Sequence, residues 1–379
     1  MRVLLVNISK DSLINALQHV LRAVSSNNTI PILSGICIQA CVNEIVFTAS
    51  NTSMRIQFRI PRDNKSLNVH RTGSIVVPAR YFNEVIRKLT ADIITFEINK
   101  PLILTIVSGK SQIRLCGMDP EEFPLINNQE HNPDNKLRIN NALLKATIKQ
   151  VATAASTSEM RPVLTGVSFD YNNDSVNLIA TDGIRLASKI IHTEKNTLNT
   201  STKFLIPAKN LYEVSKMLRN DDDATEIDVI ANQVRFTANE LQVESALIEG
   251  TFPSITNVIP QSYLSEVLVD TTRLLRAVEC VTVLAGESII RLLATTSTLE
   301  LLSRTAEIGD VQDEVPLMEM SGDDFSISLN GRFFIDILRS IDSEHVRIRF
   351  TGKASPVVII PEIKPSSTLF LITPVRTHS

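Results

Sequence analysis

The stretch VVPARYFNEVIRKL, residues 76–89, occurs in two further versions along the chain. One is LIPAKNLYEVSKML at 205–218, 129 residues later, and the other is SLNGRFFIDILRSI at 328–341, 123 residues after that. In the first copy Val76 and Val77 precede Pro78, a pattern typical of a strand that ends where a helix begins. The recurrence predicts that one strand-and-helix unit is repeated three times.

Each copy predicts an amphipathic helix with a basic outer face. Apolar residues recur at helical spacing and form one stripe per copy, namely Phe82, Val85, Ile86 and Leu89, then Leu211, Val214 and Leu218, then Phe334, Ile337, Leu338 and Ile341. Lysine and arginine occupy the opposite face in all three copies. Such a helix buries its stripe and leaves its charges outside.

Other landmarks repeat at nearly the same interval. IPILSGICI at 30–38 returns as RPVLTGVSF at 161–169, and FPLI at 123–126 returns as FPSI at 252–255. Amphipathic helices are predicted at 11–24, 140–155 and 271–285, and the strand-like runs are EIVFTAS, RIQFRIP, VNLIATD, QVRFTAN, TLELLS and VRIRFTG. A period of about 125 residues is too long for a solenoid repeat. The sequence therefore predicts three tandem similar α+β domains at 1–126, 127–258 and 259–379.

Length and composition limit the classes of protein that remain. A chain of 379 residues is too long for one ordinary core and agrees with two or three domains. No run approaches the roughly 18 apolar residues of a membrane-spanning helix, so we expect no membrane contact. The four cysteines lack metal-binding spacing and are predicted to be buried free thiols in a reducing cytoplasm. We expect no cofactor and no metal.

Positive charge is concentrated in six predicted helices, the three above and those at 79–89, 208–220 and 330–340. They hold 13 Lys and Arg against five Asp and Glu, a net of +8 that leaves −11 for the rest of a chain whose total is −3. The basic residues are Arg22, Arg80, Arg87, Lys88, Lys145, Lys149, Lys209, Lys216, Arg219, Arg273, Arg276, Arg332 and Arg339. They form either ordinary solvated helix faces or a surface that contacts a polyanion, because phosphate contacts need charge but no base-reading geometry.

No reaction centre is evident in the sequence. SGKS at 108–111 resembles the end of a phosphate-binding loop, but Leu104 stands where its leading glycine belongs. NDDD at 220–223 and GDD at 322–324 lie beside predicted elements and are interpreted as polar turns rather than metal sites. These observations favour a non-catalytic scaffold, with an enzyme of unrecognised site as the alternative.

Seven motifs together are highly specific. They are IPIL at 30–33, VVPARYFNEVIRKL at 76–89, EEFPLI at 121–126, RPVLTGV at 161–167, ATDGIRLA at 180–187, FPSITNVIP at 252–260 and PVRT at 374–377. With them the sequence resembles, over essentially its whole length, the bacterial sliding clamps, the beta subunits of DNA polymerase III. The resemblance implies the DNA clamp fold, with three domains per chain and two chains closing a head-to-tail ring whose helices line the hole and whose sheets lie outside.

The resemblance also implies partners and a location. A non-catalytic ring would encircle double-stranded DNA without sequence preference and tether the polymerase, the clamp loader and repair proteins through short linear peptides. The thirteen basic residues would face the DNA. The homodimer interface would fall on Ile113 and Leu115 of the first domain and on Val283 and Leu284 of the third. The protein would act in the cytoplasm, associated with the nucleoid.

In the family, a cleft between the second and third domains receives the peptides. The matching positions are Leu164, Thr181, Gly183, Ile184, Arg185, Leu186, Pro253, Val258, Thr373, Pro374, Val375 and Arg376. An apolar cleft of this kind binds a few anchor side chains of an extended peptide. Taken alone, residues 180–187 predict a strand, a tight turn at Asp182–Gly183 and a second strand, which does not explain an arginine between apolar neighbours.

The sequence departs from the family pattern in four places, one of them a shortened region at 283–293 that has Arg291 but no basic loop before it. Residues 25–29, which include Asn28, lack the arginine expected for DNA contact. Gly183 and Ile184 replace a common Ser-His pair, and Thr373 stands where an apolar residue is usual. Two alternatives therefore stay open: a diverged clamp paralogue with a specialised or reduced partner set, and a scaffold that does not bind DNA.

Overall fold

A computed structural model describes residues 4–24, 30–63, 65–124, 136–172, 174–193, 202–255, 257–305, 308–363 and 367–376. Helices and strands follow one another along it as the sequence predicts, and the strands form antiparallel sheets. The helices are α1 (Lys10–Val20), α2 (Ala79–Lys88), α3 (Asn141–Ala152), α4 (Ala208–Met217), α5 (Thr271–Val283) and α6 (Gly331–Ser340). The strands are β1 (Leu4–Ser9), β2 (Gly35–Ala40), β3 (Glu44–Ser50), β4 (Met54–Pro61), β5 (Leu67–Arg71), β6 (Gly73–Pro78), β7 (Ile93–Lys100), β8 (Ile103–Ser108), β9 (Ser111–Cys116), β10 (Lys136–Asn140), β11 (Gly166–Asn172), β12 (Ser175–Thr181), β13 (Arg185–His192), β14 (Thr202–Pro207), β15 (Ala224–Ile230), β16 (Gln233–Ala238), β17 (Leu241–Ala246), β18 (Ser265–Asp270), β19 (Ile289–Ala294), β20 (Thr298–Thr305), β21 (Gly309–Pro316), β22 (Glu319–Gly322), β23 (Phe325–Asn330), β24 (His345–Phe350), β25 (Val357–Pro361) and β26 (Thr368–Ile372). The α+β class is confirmed.

The recurring stretch forms the predicted strand-to-helix junction in each of its three copies. β6, β14 and β23 end at the residue before α2, α4 and α6. At the first junction Pro78 has φ −59°, the value that its ring imposes. At the third, the Asn330 side chain accepts a hydrogen bond from the Phe333 amide at 3.2 Å. Proline and asparagine thus begin equivalent helices by different means. The apolar stripes are buried as predicted, with no exposure of Phe82, Leu211 and Phe334.

All six helices are shorter than the sequence predicts, and α4, predicted at 208–220, ends at Met217. The prediction of 11–24 was too long because α1 ends at Val20 and continues as a 3₁₀ turn. α5 ends at Val283 rather than at residue 285, and the hydroxyl of Thr282 donates to the Val278 carbonyl at 2.6 Å. A threonine bonded back to its own helix in this way weakens the last turn. The predicted helix at 140–155 ends at Ala152.

Residues Met1–Ala142 and Lys216–Leu247 form the first of two compact units. Its sheets have the strand orders β5-β1-β7-β8-β9 and β10-β15-β16-β17-β4-β3-β2-β6. The eight-stranded sheet combines strands from two repeats, because β17 of the second repeat pairs with β4 of the first. Helix α1 contacts α2 and the strands β3 and β4.

Residues Leu143–Ser215 and Ile248–Ser379 form the second unit. Its sheets have the orders β14-β11-β12-β13-β26-β25-β24-β18-β22 and β21-β20-β19-β23. The nine-stranded sheet also combines two repeats, because β26 of the third repeat pairs with β13 of the second. Helix α5 contacts α6 and the strands β19, β20 and β21.

The central repeat therefore contributes strands to both units. β15, β16 and β17 continue the sheet of the first repeat, and β11, β12 and β13 continue the sheet of the third. Sheet pairing across a repeat boundary explains why contacts do not separate at the repeat boundaries. The predicted domain limit between residues 126 and 127 lies outside the described residues, as do Asn28 and the last residue of the PVRT motif.

All four cysteines are free, but two of them correct the expectation of burial. Cys116 lies on the edge strand β9 and is exposed, and Cys280 is exposed on α5. Cys37 and Cys41 are partly buried. Burial raises the pKa of the Cys37 thiol to about 11, so this group stays protonated near neutral pH.

The acidic runs occupy turns, as predicted. NDDD at 220–223 lies between α4 and β15, and GDD at 322–324 lies between β22 and β23. In the part of the chain that the structure describes, no three His, Cys, Asp or Glu side chains are grouped closely enough to hold a metal ion. Over the same residues, no helix has the length and apolar character needed to cross a membrane.

A buried ion cluster lies where β17 meets β4. The Glu244 carboxylate contacts Nη2 of Arg235 at 2.6 Å and Nη1 of Arg55 at 3.3 Å. The three side chains are 8–16% exposed, so solvent screens them weakly. One carboxylate thus compensates two guanidinium groups at the boundary between two repeats.

Replacing Glu244 should destabilise the first unit strongly. Glu244→Ala removes the carboxylate that both buried arginines contact, and we expect a loss of about 3–5 kcal/mol in the free energy of unfolding. The control is Glu226→Ala on β15, whose side chain is 34% exposed and pairs with Lys136, so its loss should be about 1 kcal/mol or less. Urea denaturation followed by circular dichroism measures both. Equal losses for the two variants would contradict the importance of the cluster.

Candidate functional site

An apolar cluster in the second unit lies beneath the predicted peptide-binding positions. Its buried members, called the cleft floor below, are Ile179, Leu186, Leu205, Phe252, Val358 and Leu371. Val163, Ile255 and Ile259 are partly buried and pack against it. The cleft floor joins β12, β13 and β14 of the second repeat to β25 and β26 of the third.

The turn between β12 and β13 is held by its own polar side chains. The Thr181 hydroxyl donates to the Arg185 carbonyl at 2.6 Å and accepts from the Gly183 amide at 3.1 Å. The Asp182 carboxylate accepts from the amides of Ile184 and Arg185, each at 2.9 Å. Gly183 has φ +92°, a conformation that residues with a Cβ rarely adopt. This fixed turn holds the Ile184 side chain 50% exposed at the edge of the cleft floor.

Arg185 fastens this turn to helix α6. Its Nε contacts Asp182 Oδ2 at 3.1 Å, and its Nη1 contacts Asp336 Oδ2 at 2.8 Å. The guanidinium carbon lies 4.2 Å from the ring centroid of Phe333, a cation–π contact. The side chain is only 11% exposed, so an arginine between apolar neighbours acts here as a positioning residue.

The C-terminal segment crosses the site from the turn to β23. β26 pairs with β13 so that Leu371 lies opposite Leu186. Beyond it, the Thr373 amide donates to the Ile184 carbonyl at 2.9 Å, and the Val375 amide donates to the Ser328 carbonyl at 2.8 Å. Thr373 is exposed and Val375 is partly buried, so the segment offers both backbone and side chains at the surface.

The opposite side of the cleft floor is formed by the segment after β17. A Cβ added at Gly250, which has φ +124°, would lie 2.7 Å from Val163 Cγ1, so this segment passes close to the turn before β11. The Val258 amide donates to the Ile255 carbonyl at 2.9 Å. Ile255 thereby packs on the cleft floor while Val258 remains 46% exposed.

The structure brings the predicted cleft residues together within the second unit. Leu186 belongs to the cleft floor, and Leu164 and Thr181 are buried. Pro374 and Val375 are partly buried. The exposed rim consists of Ile184, Pro253, Val258, Thr373 and Arg376.

Sequence reasoning missed two residues on α6, Phe333 and Asp336, that hold Arg185. Phe333 lies outside the apolar stripe that contains Phe334, and an aromatic residue on the polar side of a helix is a signal of a further contact. It also missed five of the six residues of the cleft floor, namely Ile179, Leu205, Phe252, Val358 and Leu371. A continuous apolar run does not indicate which residues its strand will contact in the fold.

The thirteen basic residues lie on the helices or within two residues of their ends. Twelve are exposed and Lys145 is partly buried. Their ion pairs with neighbouring acids include Arg80 with Glu84 at 3.5 Å, Arg219 with Glu240 at 3.7 Å, and Arg339 with Glu279 at 2.7 Å. The excess of positive charge predicted for the helices is therefore available at the surface.

The predicted interface residues lie at two sheet ends. Ile113 and Leu115 are partly exposed on β9, the edge of the five-stranded sheet. Val283 is 78% exposed at the end of α5, and Leu284 after it is partly buried. In the described residues β9 pairs only with β8, and β21 pairs only with β20.

These two edge strands hold equivalent places in the repeat. β4, β13 and β21 are the third strands after the first helix of each repeat, and β9, β17 and β26 are the last strands. Within the units β4 pairs with β17 and β13 pairs with β26. The remaining members of the two sets, β21 and β9, are open edges, which natural proteins usually cover.

Comparison with known proteins gives the same division into three. Family models of the DNA polymerase III beta subunit match the N-terminal domain at residues 4–127, the central domain at 138–254 and the C-terminal domain at 256–376. The chain is 33% identical over 377 residues to the beta sliding clamps of Staphylococcus epidermidis and Staphylococcus aureus, covering 98% of this chain and 99% of each relative.

Solved structures agree with these matches. The DNA polymerase sliding clamp of Bacillus subtilis superposes with a TM-score of 0.94 at 33% identity, over 99% of this chain and 100% of that one. The beta chain of DNA polymerase III from Streptococcus pneumoniae gives a TM-score of 0.93 at 31% identity, with the same coverage. By its three domains, its fold and its relatives, the chain belongs to the family of DNA polymerase III beta subunits, the beta sliding clamps.

Proposed function

We propose that two copies of this chain close head to tail into a ring that encircles duplex DNA and tethers replication and repair proteins to it. The proposed ring has no catalytic role and uses three domains per chain, at 1–126, 127–258 and 259–379. The observation that carries the proposal is the pair of open edges, β9 and β21, whose equivalents pair with each other inside each unit. A head-to-tail contact that uses two different surfaces closes when the rotation completes a circle.

The repeat supports a specific register for this interchain pairing. Gly35 and Ile289 each pair with the residue that precedes a helix. Following the strand pairing through the next two hairpins leads from Gly35 to Arg55 of β4 and from Ile289 to Asp310 of β21. Asp310 therefore holds in its repeat the position that Arg55 holds in the first. On the partner strand, Cys116 and Ala246 hold equivalent places in β9 and β17.

The position of Glu244 in β17 then corresponds to Arg114 in β9. Arg55 faces Glu244 inside the first unit, so Asp310 of one copy would face Arg114 of the other, with the charges exchanged. One residue further, Val311 would face Ile113, an apolar pair like Ile56 and Val243. The register therefore matches charge and hydrophobicity at successive positions.

The helix faces support the proposed contact with DNA. Their exposed lysines and arginines suit phosphate groups, and an excess of charge without base-reading geometry gives binding without sequence preference. A closed ring adds topology to this weak attraction, so the protein can slide along the duplex without leaving it.

The cleft floor and its exposed rim support peptide binding. Apolar anchors of an extended peptide would bury against the floor, and the segment 373–376 is held beside it by its own backbone hydrogen bonds. The proposed partners are a DNA polymerase, a clamp loader and repair proteins. Tethering keeps a partner that has dissociated from the template at high effective concentration beside it.

Charge exchange tests the interchain register. Arg114→Asp places two acids opposite each other and should raise the dimer dissociation constant about tenfold, as should Asp310→Arg by itself. The double variant restores an opposite pair and should recover most of the affinity. Sedimentation velocity over a dilution series measures all four proteins. A double variant weaker than both single variants would contradict the register.

Retention on DNA tests the ring. After loading by a clamp loader onto a nicked circular plasmid, the protein should remain bound through gel filtration and should be released when a restriction enzyme linearises the plasmid. Neutralising Arg80, Arg87, Lys209 and Lys216 to Gln should speed release from linear DNA at low salt, and the difference should vanish at high salt. Equal release from circular and linear DNA by a dimeric protein would reject the ring.

Surface substitutions test the peptide cleft. Ile184→Asp and Val258→Asp place charges at its exposed rim without disturbing the core, and each should weaken peptide binding at least about tenfold. Val42→Asp, at a 64% exposed position of the first unit, is the matched control. Fluorescence anisotropy with overlapping 15-residue peptides from the polymerase and loader subunits of the same genome gives the affinities. Unchanged affinities for the two rim variants would exclude this cleft.

A further inference from the structure

A second cavity adjoins the cleft through the C-terminal segment. It has a volume of about 800 Å³, and both Val375 and Arg376 line it. The other lining residues come mainly from β19, β20, β23 and the turn after β24. We call it the basic cavity, because its lining includes four cationic residues, Arg291, Arg304, Lys353 and Arg376, and, among its described lining residues, none is acidic.

The charges of the basic cavity are largely uncompensated. Across the described residues, Arg304, Lys353 and Arg376 form no ion pair, and all three are exposed. The Nε of Arg291 donates to the Ser326 hydroxyl at 2.9 Å, a neutral partner. The nearest acid along the ladder is Asp310, opposite Arg304, which the proposed ring would engage through the other chain. Four cations in one concave surface, with no ion pair among the described residues, favour an anionic ligand.

The basic cavity lies on the face of the sheet opposite helix α5. A Cβ at Gly331 would lie 3.1 Å from Ile290, so Ile290 faces the helices, and the next residue of the strand, Arg291, faces away. The Ser303 hydroxyl donates to the Val281 carbonyl of α5 at 2.6 Å, and Arg304 follows it. The proposed DNA contacts are on the helices, so phosphate groups of encircled DNA do not account for this cavity.

We infer that the basic cavity binds acidic residues that flank the apolar anchors of a partner peptide. The inference rests on the proposed peptide cleft, since Val375 and Arg376 belong to both surfaces. When the anchors of a peptide occupy the cleft floor, its flanking residues extend along residues 373–376 into the basic cavity. Aspartate or glutamate side chains in that flank contact the arginines and the lysine of the cavity. The anchors supply affinity, and the acidic flank distinguishes partners with equal anchors.

The test uses one peptide core with two flanks. The core is a 15-residue peptide that binds the wild-type protein and binds the variant Val258→Asp more weakly. It is synthesised in two versions, one with three Glu and one with three Gln on each side of the core. We expect the Glu version to bind wild type about three- to tenfold more tightly than the Gln version, with the difference shrinking as salt rises. The variant Arg304→Gln/Lys353→Gln should lose this preference and keep its affinity for the Gln version.

The matched control is Lys65→Gln/Lys100→Gln, which removes the same charge from two exposed positions of the first unit. It should retain the preference for glutamate, and sedimentation should give both double variants the same dimer. If the wild-type protein shows no preference for the Glu version, or if Arg304→Gln/Lys353→Gln retains that preference, the inference is wrong and the cleft proposal stands. Failure to find any peptide sensitive to Val258→Asp overturns both. Loss of binding to a labelled duplex in Arg304→Gln/Lys353→Gln alone would assign the cavity to nucleic acid and overturn the inference.

Discussion

Backbone hydrogen bonding between the last strand of one repeat and the third strand of the repeat before it organises this molecule. In the first unit it joins β17 to β4, and in the second it joins β26 to β13. A strand edge left without partners exposes amides and carbonyls that invite another strand. In the described residues the chain pairs these edges twice and leaves β9 and β21 open, so the repeat that builds each sheet also leaves the two edges that the proposed ring would use.

The candidate site is a consequence of that pairing. β13 and β26 bring Leu186 opposite Leu371, and this contact helps to create the cleft floor from two repeats. The pairing by itself would leave the β12–β13 turn free to tilt. Arg185 prevents this, because it contacts carboxylates on the turn and on α6 and lies over Phe333. The cleft is thus preorganised by a buried cation rather than by apolar packing alone.

Periodicity made the six helices and some of the strands predictable from the sequence, since Phe82, Leu211 and Phe334 mark the same buried stripe in three copies. Helix ends were less predictable, because a single hydroxyl such as that of Thr282 changes the last turn. Strand partners were not predictable, since alternation indicates the face of a strand and not its neighbour. Family resemblance supplied the predicted cleft residues, but only contacts with Phe333 and Asp336 explain the arginine among them.

The four-stranded sheet packs against α5 on one face and presents cations on the other. Consecutive residues of a strand point to opposite faces, so the Ser303 hydroxyl bonds to α5 while the Arg304 side chain is exposed on the outer face. A slip of one residue in this strand would exchange the two faces and bury the arginine. The hydrogen bond from Ser303 to Val281 and the close approach of Ile290 to Gly331 fix the register against such a slip. Packing under the helices therefore determines which cations the outer face presents, and a substitution on either face is constrained by the other.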